Sequence, residues 1–278
     1  MRYELLKDRI ARFTRNRPWG QRLFYALSDL LLLRNWHLRR ALRRLRPLMP
    51  RYPFWALDAG TGFGLYAWRI LRYWPQARVL ALDVKKTYLE SARRFLHRPP
   101  YEERIYWVLA DLERFGTAEP CFDLILCVDV LEHIPDDEAA LRAMAAMLRP
   151  GGYLLLNTPS DQGGSGVEQP GQGSFIEEHA REGYNRDELL KRLRALGLHP
   201  MEARYTYGWP GQWAWRLLIR WPLPWLERRM AWPLIALYYL FALPVGLLLH
   251  ALDVRMDHPT GAGLLLIVRK PEGCENIA

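Results

Sequence analysis

The stretch LDAGTGFG, residues 57–64, narrows the folds open to this chain more than any other. An apolar run closes on an acid, and three glycines then alternate with other residues before an amphipathic segment begins. Glycine accepts the left-handed backbone of a tight turn and leaves room for close approach, so the stretch reads as strand, turn and helix start. The rhythm continues downstream. Apolar runs FWALD (54–58), RVLALD (78–83), RIYWVLA (104–110), FDLILCV (122–128) and GYLLLN (152–157) alternate with helical patterns at 65–73, 87–97 and 137–148, and a weaker one near 112–119. Strands apolar on both faces and separated by helices predict a mostly parallel sheet covered on both sides. A helix over Asp187–Leu196 and strands at about 201–207 and 263–270 complete the series after a Gly-rich loop at 161–174.

Two segments break the rhythm. Residues 1–52 read as a basic arm of two or three helices, interrupted near Arg17-Pro18-Trp19-Gly20 and ended before Pro47. They hold fourteen Lys and Arg against three acids, whereas the rest of the 278 residues hold 25 basic and 27 acidic ones. Such an arm suits lipid headgroups or nucleic acid, or else it is a solvated helix face. Residues 208–258 form the second exception, with six of the twelve tryptophans and an uncharged run of 23 residues from Met230 to Leu252. The run is long enough to span a bilayer. A single crossing, however, would separate the strands on either side of it, and Pro233 and Pro244 interrupt it. The expectation is a helical hairpin that lies in the membrane interface or caps the active site, with a buried helix pair or an oligomer contact as alternatives. The remaining domain runs over 53–207 and 259–272. The charged start MRYELLK lacks the apolar run of a secretory signal, and three cysteines without a CxxC pair fit a reducing, cytoplasmic setting.

Acids close three strands in turn. Asp58 precedes the glycine loop, Asp83 ends the second run and Asp111 follows the third. Ligands of open α/β sheets bind at this carboxyl edge, where an acid such as Asp83 accepts the hydroxyl protons of a ribose. Each acid also has a plainer use, as a stiffener of its turn or a cap for the next helix. A dinucleotide fingerprint requires a third glycine where Leu65 stands, so a nicotinamide oxidoreductase is disfavoured.

With LDAGTGFG, Asp83, ADLERF, FDLILCVDVLEHIPDD, LRPGGYLLLNTPS and EEHAREGYNRDELLKRLRALGL in this order, the chain resembles class I S-adenosylmethionine-dependent methyltransferases of the small-molecule type. The resemblance covers about residues 54–200 and the final strand. It implies a Rossmann-like sheet of seven strands, the last antiparallel, with S-adenosylmethionine across its carboxyl edge. Asp58, Ala59, Gly60, Thr61 and Gly62 would lie beside the methionine part, Asp83 at the ribose, and Val84, Asp111 and Leu112 around adenine. Cys127 to Val130, Val128 among them, would lie under the sulfonium. The arm and the insertion depart from the family pattern, so the resemblance says nothing of the acceptor.

A sulfonium methyl is already activated, so alignment and exclusion of water supply most of the catalysis, without a metal. A hydroxyl or acidic-carbon acceptor would also gain from a general base. His133 follows the fourth strand and is the first candidate, or else it orders the turn before Pro135. His179 is open as base, substrate ligand or loop brace, with Tyr184 and Arg181 secondary. Asp136 or Asp137 reads as a helix N-cap. The segment VDVLEH is not the Asp/Asn-Pro-Pro-aromatic box of nucleobase and amide methylation, and Cys121 and Cys127 read as buried small hydrophobes. The reading is a methyltransferase for a small or lipidic acceptor, such as a quinone or isoprenoid, peripheral at the cytoplasmic membrane face. Nucleic acid is disfavoured as a partner, and an oligomer could form through 208–258. The alternatives are an RNA-modifying enzyme that uses the basic arm and a non-catalytic membrane-attached adaptor.

Overall fold

The computed structural model describes residues 18–163, 180–181, 183–227 and 232–272. The expected helical start before residue 18, most of the Gly-rich loop, His179 and Cys274 lie outside these residues. Seven strands form one sheet in the order β3-β2-β1-β4-β5-β7-β6. They are β1 (Phe54–Ala59), β2 (Ala77–Asp83), β3 (Ile105–Leu109), β4 (Phe122–Val128), β5 (Leu148–Pro159), β6 (His199–Thr206) and β7 (Gly263–Arg269). All run parallel except β7, which pairs antiparallel with both β5 and β6. The expected fold class is borne out.

Every residue of β4 is buried, and beyond the register shift after Phe122 its side chains divide by parity. Leu124, Leu126 and Val128 join the core on one face; Ile125 and Cys127 join the core on the other. This period of two is the signature of a strand covered on both sides. Helices α1 (Pro18–Leu31), α2 (Leu33–Leu45), α3 (Leu65–Tyr73) and α4 (Lys86–Leu96) contribute to the first core, and α5 (Asp137–Met147) and α6 (Arg186–Ala195) to the second. Strand order reverses between β1 and β4, whose ends pair as Ala59 with Cys127. A crevice for a ligand belongs at that switch point.

The basic arm is woven into this core. Tyr25, Leu38, Ala41, Leu42 and Leu45 pack with Phe54 and Ala56 of β1. The helical pattern near 112–119 does not become a helix. Leu112–Arg114 turn and the chain then runs irregularly, with a bend at Ala118 and Glu119, to Pro120, because Gly116 and Pro120 leave too short a segment to nucleate a helix. Strand β5 begins at Leu148, four residues before the expected 152, since Leu148 pairs with Phe122 ahead of a register shift.

Between β6 and β7 stands a helical hairpin. Its first arm is α7 (Trp209–Trp215), a π-helical turn over Arg216–Arg220 and the short α8 (Leu223–Glu227); its second is α9 (Trp232–Arg255). Gly246 lets the arms close, since a Cβ there would lie 2.5 Å from Leu218 Cγ. Tyr238 and Tyr239 donate across to the carbonyls of Leu217 and Leu218 at 2.6 and 2.8 Å.

Candidate active site at the carboxyl rim of the sheet

Gly60, Gly62 and Gly64 turn β1 into α3 with φ of 75°, 53° and 78°, a region costly to residues with a Cβ. Their free sides differ. A Cβ on Gly60 would lie 2.2 Å from Val130 Cγ2 and one on Gly64 3.0 Å from Ala92 Cβ, whereas one on Gly62 meets nothing within 4 Å. Two of the three serve contacts within the protein, and Gly62 borders open space. The loop's amides are also engaged internally. Gly60 N and Thr61 N donate to Leu82 O at 2.8 Å, and Gly64 N to Thr61 O at 2.9 Å. Gly62 N donates to Asp83 Oδ2 at 2.8 Å. Most of the loop's glycine and threonine donors are therefore spent on the protein itself, three on backbone carbonyls and one on the Asp83 carboxylate.

Asp58 stiffens the turn. Its buried Oδ2 accepts from Thr61 Oγ1 at 2.6 Å and from Ala67 N at 2.9 Å. Burial pushes its carboxyl up to about 6, against the pull of those two bonds. Ala59 and Thr61 are buried beside it. From outside, Tyr25 and Gln21 of α1 donate to Phe63 O at 2.5 and 3.2 Å.

At the end of β2, Asp83 Oδ1 accepts from Lys85 N at 2.8 Å. Each carboxylate oxygen thus has one backbone donor and keeps a lone pair, enough for two vicinal hydroxyls. Val84 and Leu109 are 60% and 56% exposed, while Leu112 is buried below them, giving the rim an apolar shelf. Asp111 is exposed, and its Oδ1 accepts from Glu113 N at 3.1 Å. An open glycine, a carboxylate with spare acceptor capacity and an apolar shelf fit an adenosyl group. A pyrophosphate fits them less well, because the amides of Gly60, Thr61, Gly62 and Gly64 all donate within the protein.

The end of β4, where the resemblance puts Cys127 to Val130 under the sulfonium, gathers partners that no linear pattern flagged. Val128 is buried, and Asp129 after it takes a left-handed φ of 51°, a rare conformation that marks functional sites. Asn157 Nδ2 donates to Asp129 Oδ1 at 2.7 Å, and Arg34 of α2 forms an ion pair with Asp129. Tyr207, after β6, also has a left-handed φ, of 56°, and its hydroxyl accepts from Arg34 N at 3.1 Å. Two strained residues from two strand ends therefore converge on one residue of the arm. Glu132 lies beneath them, 1% exposed, with Oε2 accepting from Thr158 Oγ1 at 3.2 Å. Burial first and the Asp129 charge second raise its carboxyl well above the usual range.

His133 closes a single 3-10 turn, Leu131–His133, next to this cluster and is half-buried. Tyr184 is tied up elsewhere. Its hydroxyl meets Asp137 Oδ2 at 2.8 Å and Leu131 O at 3.1 Å and accepts from Arg181 Nη1 at 2.7 Å. Burial and the neighbouring Asp137 raise its pKa further, so it braces the loop and makes a poor base. Asp136 caps α5, accepting from Ala139 N at 2.9 Å. Cys127 is buried in β4 and Cys121 is half-buried.

The hairpin is rooted one helical turn from Arg34. His37 Nε2 lies 2.7 Å from Asp253 Oδ1, with both side chains buried. Asp253 also accepts from Tyr207 N at 3.2 Å and Gly211 N at 2.9 Å. The strained Tyr207, α7, α9 and α2 thus meet on one carboxylate. Outward from this root the chemistry changes. Leu237, Leu240, Phe241 and Leu248 of α9 are 54%, 66%, 68% and 60% exposed. Among the described residues, Pro233–Arg255 is one helix long and apolar enough to cross a membrane.

Residues 57–156 match the family model described as a methyltransferase domain. Among curated proteins, the ubiquinone biosynthesis O-methyltransferase of Alkalilimnicola ehrlichii is 35% identical over 103 residues, 37% of this chain and 40% of that protein. The trans-aconitate 2-methyltransferase of an Azoarcus species is 34% identical over 121 residues, 42% of this chain and 45% of that protein. The chain thus matches less than half the length of these relatives. Among solved structures, an S-adenosylmethionine-dependent methyltransferase from Mesorhizobium loti superposes with a TM-score of 0.52 at 18% identity, over 82% of this chain and 96% of that one. Phosphoethanolamine N-methyltransferase 2 of Haemonchus contortus, in complex with S-adenosyl-L-methionine, gives 0.57 at 16% identity over 89% and 60%. At such identities the superpositions speak for the fold.

Proposed function

We propose that this chain, which carries a class I S-adenosylmethionine-dependent methyltransferase domain, methylates a small lipidic acceptor, of quinone or isoprenoid type, at a membrane surface. The observation that carries the lipidic part is the outward face of α9, apolar yet exposed and rooted on the residues that line the rim. In globular proteins a helix apolar all round is buried or belongs to a membrane; this one is not buried in its own protein. Tryptophans along the hairpin, with Trp209, Trp213 and Trp221 exposed, suit the headgroup layer. The relative named for ubiquinone biosynthesis adds support for a redox-lipid acceptor.

The donor supplies a methyl group on a positive sulfur. In this reading Asp83 holds the ribose, Val84, Asp111 and Leu112 flank the adenine, and Asp58 to Gly62 shape the wall beside the methionine. Val128 floors the methyl. Carboxylates near an electrophilic methyl are themselves nucleophiles, so their state matters. Asp129 is paired with Arg34 and Asn157, and the raised pKa of Glu132 favours its neutral form. Both are thereby restrained from intercepting the methyl group. His133 is the proposed base for a hydroxyl acceptor.

The test is incubation of the protein with methyl-labelled donor and with lipid, RNA and aqueous extracts of its host. Label in the organic-extractable fraction is expected. Label confined to RNA would overturn the acceptor class and favour the RNA-modifying alternative.

A further inference from the structure

The arginines of α2 are more than the rim and the core require. Within LRNWHLRRALRRL there are five arginines and no acid. Arg39 and Arg43, and Arg40 and Arg44, stand four residues apart, a spacing at which like charges oppose helix formation. Together they border a groove of about 640 Å³ between α1, α2 and the root of α9. Its one acid, Asp29, is paired with Arg69. Arg39 Nη2 donates to Asp29 O at 3.1 Å and Arg40 Nη1 to Val254 O at 2.8 Å, so two guanidinium groups are anchored by backbone carbonyls and keep their charge. Arg44 pairs with Glu202 at 2.8 Å, and Arg43 is exposed at the mouth.

The rest of the groove is apolar: Ala26, Leu30, Trp36 and Val254. Trp36 carries the Arg39 guanidinium over its ring at 5.1 Å and packs edge-on against His250 of α9 at 5.5 Å. Val254 lies six residues beyond Leu248, the last large residue of the exposed apolar face, or about 9 Å along the helix. With α9 directed into the membrane by its far end, a groove so placed sits at headgroup level.

We infer that this groove binds the phosphate of an anionic phospholipid headgroup, with arginines on the phosphate and the apolar floor under the glycerol and upper chain. The inference rests on the membrane reading above and adds which lipids the protein selects. Free phosphate would use the arginines but not the floor, and nucleic acid would gain nothing from the adjoining apolar helix.

The experiment is flotation of the full-length protein with vesicles of phosphatidylcholine alone and vesicles in which a third of the lipid is phosphatidylglycerol. The wild type is expected to favour the anionic vesicles. R43Q/R44Q removes two exposed arginines and should lower that affinity about twenty-five-fold, at about fivefold per basic residue, while binding to neutral vesicles stays unchanged. R43K/R44K should recover much of it. Unchanged donor affinity in R43Q/R44Q would show that the fold is intact. R93Q/R94Q removes the same charge from exposed positions on α4; an equal loss there would overturn the inference in favour of diffuse attraction. Equal binding of the wild type to both vesicles would overturn it and leave the membrane reading standing, whereas binding to neither would end both. Full competition by glycerol phosphate, or retention on RNA that R43Q/R44Q alone abolishes, would also overturn it.

Discussion

The rim and the hairpin are made by one chain and solve opposite problems. At the rim many polar groups find partners in the protein: loop amides in Leu82 O and Asp83, Asp129 in Arg34 and Asn157, Tyr207 in Arg34. On the outer face of α9 the groups that should leave water do not find an interior to enter. Internal closure gives a rigid template. Unanswered apolar surface of this extent marks an interaction site. Under the proposed function, the difference assigns donor binding to the domain alone and acceptor delivery to a second phase.

The largest effect should come from breaking the hairpin's half of that contrast. L240D/F241D places two charges on the most exposed part of the face, and loses about 1.5–3 kcal/mol per large apolar side chain buried in lipid. Vesicle binding should fall a hundredfold or more, by flotation, with donor affinity measured by calorimetry unchanged. Loss of donor affinity as well would mean that the two regions are not separable. A switch from dimer to monomer without a change in vesicle binding would mean that a second copy covers the face.

Next in size is a contrast within the rim. Gly60→Ala meets Val130 Cγ2 at 2.2 Å in a left-handed conformation, so strain and overpacking together should cost about 2–5 kcal/mol of stability. Gly62→Ala has the strain without the clash, about 1–2 kcal/mol, yet its methyl enters the space assigned to the ligand. Urea denaturation should rank Gly60→Ala as the more damaging, and donor titration should single out Gly62→Ala. Equal effects in both assays would show that the open side of Gly62 is not where the ligand lies.

That division was only half legible in the sequence. The apolar runs, the glycine loop and the acids that close strands are local signals, and they put β1 to β4 and Asp83 where the structure has them. The sequence could not say which glycine faced outward, because Val130 and Ala92 come from elsewhere in the chain. Arg34 was hidden for the same reason: its partners Asp129 and Tyr207 lie 95 and 173 residues away, and within α2 it looked like one more solvated arginine. The left-handed Asp129 had a faint signal, since aspartate tolerates that region better than most residues. The weak helical pattern near 112–119 does not become a helix, because Gly116 and Pro120 leave too short a segment to nucleate one.

Asp58 sharpens the comparison by showing where the rim's closure is incomplete, for its buried carboxylate has hydrogen bonds but no cation. Its folded pKa, about 6, stands above the ordinary 3.8. Its stability contribution is therefore full below about pH 4 and is lost as pH rises through about 6, some 3 kcal/mol in all. Asp58→Asn keeps an oxygen for Thr61 and Ala67 and removes the titration. Between pH 4 and 7 the variant should gain on the wild type by about that amount in urea denaturation. Parallel profiles would show that the charge is already compensated.

The smallest expected effect concerns Asp83, where the two regions should prove independent. Asp83→Ala removes the acceptors for both ribose hydroxyls and frees Gly62 N. Charged hydrogen bonds are worth about 1.5–3 kcal/mol each, but water entering the gap restores part of this, so donor affinity should fall tenfold or somewhat more, about 1.4–3 kcal/mol. Asp83→Asn retains an acceptor for Gly62 N and should lose less, which separates loosening of the loop from loss of the ribose bonds. Calorimetry with S-adenosylmethionine reads both, and vesicle binding should not move in either variant. Unchanged donor affinity in Asp83→Ala would place the ribose elsewhere on the rim. A parallel fall in vesicle binding would show that the hairpin answers to the donor site through Tyr207 and Asp253, and the two regions would then have to be treated as one device.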